Sequence, residues 1–95
     1  MTVKLEFDIF YTIIKVPDIS EKDIRKGLYN KFLRWLKKSG YTEGRGRNLG
    51  FVYDDDAVIQ WLKETKFKND DIKILEKHKS LDDESLYDFD IVLYF

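Results

Sequence analysis

Two arginines, Arg45 and Arg47, flank a glycine in the run GRGRNLGFVYDDD, and three consecutive aspartates, Asp54, Asp55 and Asp56, close it. Guanidinium groups in a loop that nothing obliges them to pack into are free to make bidentate contacts to phosphate or carboxylate. The aspartates, if the fold brought Asp8 to them, could hold a divalent cation for phosphodiester hydrolysis. Capping a helix that starts there is the simpler use of the triplet. His78 is the single histidine and stands among lysines without a histidine or cysteine to complete a metal site or a triad, so a structural role that tolerates replacement is expected. Gly44, Gly46 and Gly50 are not followed by the lysine and hydroxyl pair of a phosphate-binding loop. The chain has no cysteine, which excludes disulfides, thiolate metal sites and cysteine nucleophiles. No catalytic residue, metal or cofactor is assigned, and binding is expected rather than catalysis.

The charge along the chain is segregated although the net charge is only −1. Between positions 20 and 50, Lys22, Arg25, Lys26, Lys31, Arg34, Lys37, Lys38, Arg45 and Arg47 face only Glu21, Asp23 and Glu43. From 81 onward the chain carries Asp82, Asp83, Glu84, Asp88 and Asp90 and no basic residue. A positive side and a negative side follow.

The elements that must position these groups are readable from periodicity. Val3, Leu5, Phe7, Ile9, Tyr11 and Ile13 alternate with Lys4, Glu6, Asp8, Phe10 and Thr12, which predicts one long half-buried strand. Ser20 caps a helix expected over 21–38, with Ile24, Leu28, Phe32, Trp35 and Leu36 inward and Lys26, Lys31, Arg34, Lys37 and Lys38 on the opposite arc. Gly40 ends it. NLGFVYD reads as a strand that could pair with a short piece near 41–43, and DDDAVIQWLKET as a helix capped by one of its aspartates and burying Ala57 or Val58, Trp61 and Leu62. Both tryptophans are expected in one core. DIKILEKHK and LYDFDIVLYF read as a terminal hairpin, whose outward Val92 and Tyr94 a second subunit of a homodimer would cover. The whole, 1–95, is expected to be a single α+β domain, a ferredoxin-like sandwich with two helices on one face of a mainly antiparallel sheet of four or five strands. No apolar run is long enough to span a bilayer, and the start lacks a basic stretch before an apolar one, so a cytoplasmic protein without membrane contact is expected.

RNLGFVY, from Arg47 to Tyr53, resembles the octamer signature of RNA-recognition motifs at Arg47, Gly50, Phe51 and Val52. Ile9 to Ile14 resembles the hexamer of that family's first strand in its first two positions, and the resemblance spans roughly residues 5 to 65. It departs at Asn48, Leu49 and Asp54. The resemblance implies Phe10 and Phe51 as stacking platforms for unpaired bases, with Arg47 at their edge. Alternatively, Leu49, Phe51 and Tyr53 are simply the inward side of a strand.

Three functions compete. The first is a nucleic-acid-binding module using Arg45, Arg47 and the basic helix face of Lys26, Arg34, Lys37 and Lys38 together with Phe10 and Phe51. The second is a protein-interaction module, an inhibitor or adaptor, using the acidic C-terminal hairpin as an edge or as a mimic of phosphate charge. The third, metal-dependent nuclease chemistry at Asp8 and Asp54 to Asp56, requires those carboxylates to converge.

Overall fold

The computed structural model describes residues 1–43, 50–51, 53–67 and 71–95, with the pairs 42–43 and 50–51 described by their backbone. Thr2–Glu6 (β1) does not continue as the long strand that the alternation predicts. It reverses at Asp8 and Ile9 into Phe10–Lys15 (β2). The Phe7 amide donates to the Phe10 carbonyl at 2.8 Å and closes a tight hairpin loop. Val3 then lies opposite Ile14 and Leu5 opposite Thr12. The reversal changes the parity of the sheet faces: Phe10, Thr12 and Ile14 share the face of Val3 and Leu5, whereas Tyr11 and Ile13 go to the other.

The helix expected over 21–38 is two helices. Glu21–Arg25 (α1) starts on Ser20, whose hydroxyl accepts from the Asp23 amide at 3.1 Å, and Lys31–Lys38 (α2) follows after a break. Gly27 lies in that break at φ +83, a backbone conformation open to glycine and strained for other residues. The end of α2 matches the expectation. The Tyr41 amide donates to the Leu36 carbonyl at 2.9 Å and the Gly40 amide, at φ +82, to the Lys37 carbonyl at 3.4 Å, a Schellman motif.

Thr42–Glu43 (β3) and Gly50–Phe51 (β4) form the short antiparallel pair foreseen near Tyr41. Asp55–Thr65 (α3) is capped by Asp54, whose carboxylate accepts from the Asp56 amide at 3.1 Å. Ala57, Val58, Trp61 and Leu62 are buried from it, joining Ile24, Leu28, Phe32 and Leu36 and the sheet residues Val3, Leu5, Ile14, Ile91 and Leu93 in one core. Trp35 packs at the rim of that core, half-buried, rather than inside it.

Lys73–Ser80 (β5) and Ile91–Tyr94 (β6) are not a hairpin. β5 pairs antiparallel with β2 and β6 pairs parallel with β1, so the order is β5-β2-β1-β6 and the two strands occupy opposite edges. The connection 81–90 must therefore cross β2 and β1, and it runs over the face turned away from the helices. There the Tyr11 hydroxyl donates to the Asp83 carbonyl at 3.0 Å, and the buried Glu76 carboxylate accepts from the Ser85 hydroxyl and, at 3.3 Å, from the Leu86 amide. This strap explains why both parities of β2 are buried. A ferredoxin-like arrangement interposes a helix between the first two strands; here they are a hairpin, and the sheet is mixed. The expected layering, α+β with helices on one face of a four-stranded sheet, is present. At the β6 edge the Val92 carbonyl accepts from the Arg25 guanidinium at 3.0 Å, while Tyr94 stays exposed. Among the described residues no helix is long and apolar enough to cross a membrane.

Candidate nucleic-acid interface

Helical spacing sets Lys31, Arg34 and Lys38 on one stripe of α2, covering about 10 Å of helix axis. Trp35 lies beside them and α3 supplies Trp61 and Thr65 across from it; together the six line a groove of about 260 Å³. Lys31, Arg34, Lys37 and Lys38 are exposed, and none of them forms an ion pair among the described residues. A further cation closes in from the end of α3. The Lys66 ammonium donates to the Lys26 carbonyl at 2.8 Å and sits 5.6 Å from the centre of the Trp61 ring. Burial, then repulsion from Lys26 and Lys31, pushes its pKa below the ordinary 10.5. The smaller, repulsive part of that shift reflects the positive charge of Lys26 and Lys31 nearby.

The aromatic rings at this groove are already partnered by other rings. Trp35 lies between Phe32 (6.3 Å, 15°) and Tyr41 (5.8 Å, 22°), and its indole N–H donates to Glu64 at 3.1 Å. Phe10, expected as an open platform, is half-buried on the helix side of the hairpin, stacked on Phe7 (4.7 Å, 10°) and tilted against His78 (4.5 Å, 55°), and it lines a separate pocket with Phe7, Ile9, Tyr53 and Phe95. The side chain of Phe51, and Arg45 and Arg47 altogether, lie outside the described residues. Of the predicted cations, Arg34 and Lys38 line the groove, Lys37 is exposed on the same helix, and Lys26 is not part of the lining, its carbonyl accepting from the Lys66 ammonium. Lys66 and the wall made by Trp61 were missed, because their position depends on how α3 crosses α2.

The aspartate triplet does something else. Asp55 is fully buried, accepting from the Thr12 hydroxyl at 2.7 Å and meeting His78 Nε2 at 2.6 Å; the Thr12 hydroxyl in turn accepts from the His78 amide at 3.2 Å. His78 has φ +52, uncommon for a residue with a side chain. Burial raises the Asp55 pKa, but the hydrogen bonds from His78 and Thr12 and the charges of His78 and Lys77 together carry it below the ordinary 3.8. The group of ligand-capable side chains found among the described residues is not Asp8 with the triplet but Asp54, Asp55 and His78, whose ligand-capable atoms lie within 4.8 Å of one another. Asp54 is engaged as the cap of α3, Asp55 by Thr12 and His78, and Asp56 by Lys77 at 2.9 Å. Each aspartate thus has a structural partner.

No family model, curated protein or solved structure matches the chain.

Proposed function

We propose that the protein is a non-enzymatic, cytoplasmic nucleic-acid-binding module that grips the phosphate backbone through the groove between α2 and α3. The observation that carries this reading is the set of exposed cations, Lys31, Arg34 and Lys38, that line one groove and form no ion pair among the described residues. Trp35 already stacks with Phe32 and Tyr41 and gives its N–H to Glu64, which favours backbone contact over base stacking. Arg45 and Arg47 add phosphate contacts in this reading.

Fluorescence anisotropy with a labelled duplex and a single strand of the same length tests it. Binding at low salt that weakens linearly in log–log form with added salt is expected, and K31A/R34A/K38A should lower the slope by about 2 to 3. Absence of binding to either probe at low salt, or an unchanged slope in the triple variant, overturns the proposal.

A protein-interaction reading has one observation in its favour. The acidic strap holds Leu86 at 88% exposure, with Tyr87 and Phe89 partly exposed beside it.

A further inference from the structure

Leu86 stands nearly free of the protein in the middle of the strap, with Asp82, Asp83 and Glu84 before it and Asp88 and Asp90 after it. The chain around it is nevertheless ordered. Glu76 accepts the Leu86 amide at 3.3 Å, and the Ser85 hydroxyl accepts the Tyr87 amide at 3.0 Å while donating to Glu76. The result is an ordered backbone that presents an apolar side chain flanked in sequence by carboxylates. The α2–α3 groove has the inverse pattern, an apolar floor of Trp35 and Trp61 ringed by Lys31, Arg34 and Lys38, and its volume of about 260 Å³ is ample for a leucine side chain. Apolar centre against apolar centre with oppositely charged rims is the pattern of a specific contact.

Strap and groove belong to opposite faces of the sheet, so they cannot meet within one chain. We propose that the strap of one copy docks in the α2–α3 groove of a second copy, head to tail, with Leu86 seated between Trp35 and Trp61. Such a heterologous contact does not close on itself in a pair: a groove stays free at one end and a strap at the other, so longer assemblies grow. The strap carboxylates offer the groove the charge of a phosphate chain, and self-association and nucleic-acid binding exclude one another. That exclusion rests on the nucleic-acid reading above; the self-association does not.

Light scattering and sedimentation over a range from micromolar to millimolar protein test the docking. The wild-type mass should rise past that of a dimer with concentration at low salt, and the association should weaken at least tenfold in high salt. L86D, which keeps the groove, and K31E/R34E/K38E, which keeps the strap, should each be monomeric. An equimolar mixture of the two should form a one-to-one pair and nothing larger. A wild-type protein that stays monomeric at low salt, a dimer that survives both variants, or two variants with wild-type circular dichroism that do not pair when mixed each overturns the proposal. Should the triple variant fail to fold, K38E replaces it in the same mixture and is judged by the same outcome. Added duplex should disperse the wild-type assembly. If it binds without dispersing it, the exclusion is wrong; if no nucleic acid binds, the functional reading falls and the docking is decided by the masses alone.

Discussion

His78 Nε2 lies 2.6 Å from Asp55 Oδ1, tying strand β5 to the first turn of α3 through a carboxylate that is wholly out of water. With Thr12 on its other oxygen, Asp55 has a partner on each. Removing one leaves a buried carboxylate half satisfied. His78→Ala should therefore cost about 1 to 3 kcal/mol, the lower part of that range being favoured by the half-exposed imidazole. Urea denaturation checks it, and an unchanged midpoint would mean that water replaces the ring without loss.

The same carboxylate makes a pH prediction with a definite sign. Its folded pKa lies below the ordinary 3.8. The stabilisation it contributes is fully present above the unfolded value and is lost as pH falls through the lowered folded value. Unfolding free energy should drop on acidification below about pH 4, and Asp55→Asn should flatten that part of the profile. A slope identical in the two proteins would assign acid sensitivity to other carboxylates.

The tryptophans should separate. Trp61 is 2% exposed in the middle of the core, and Trp61→Ala should cost about 3 to 5 kcal/mol. Trp35 is half-buried at the groove, so Trp35→Ala should cost roughly half as much, with loss of the Phe32 and Tyr41 stacking included. Equal losses in chemical denaturation would place the two rings in equivalent surroundings, against the fold described.

These contrasts show where the sequence was informative. Amphipathic spacing named the buried faces of both helical regions, and the Ser20, Asp54 and Gly40 signals marked real helix ends, because caps are local chemistry. What failed was the long-range arrangement. Asp8 and Ile9 continue the alternation of the strand they interrupt, so the turn between β1 and β2 left no trace in the pattern. Gly27 was readable as a break only in hindsight of its φ, since a single glycine is tolerated inside a helix. The strands Lys73–Ser80 and Ile91–Tyr94 carry no mark of whether they pair with each other or with the first hairpin. For the candidate groove, the α2 cations were legible as an arc, but the wall from α3 is tertiary.

Gly27 and Gly40 offer a matched test of the helix break. Both have positive φ, but an added Cβ at Gly27 would lie 3.1 Å from Lys31 Cβ, whereas at Gly40 it meets nothing within 4 Å. Gly40→Ala should cost about 1 kcal/mol for the left-handed backbone alone, and Gly27→Ala more than that because the start of α2 must also shift. A Gly27→Ala protein as stable as wild type would show that residues 21–38 can run as the single helix that the sequence suggests.

The strap is held by few bonds, and Glu76 is its anchor. This carboxylate is 7% exposed on the outer face of the sheet, where it accepts from the Ser85 hydroxyl and the Leu86 amide. Two acceptor contacts on one buried group concentrate the hold on the strap, so Glu76→Ala should free its centre while β5 keeps pairing with β2. The global cost should be about 1 to 2 kcal/mol, since the loss is of hydrogen bonds rather than of core volume. Glu76→Gln keeps an acceptor oxygen for one donor and should lose less. Hydrogen exchange resolves the local effect: the Leu86 and Tyr87 amides should lose protection in Glu76→Ala while the β1 and β2 amides keep theirs. The consequence for docking has a sign as well. A strap released from Glu76 must be ordered again on binding, so head-to-tail association should weaken in Glu76→Ala even though no residue of the contact has changed. Association as strong as wild type, with the Leu86 amide exchanging freely, would show that the strap binds without being pre-arranged.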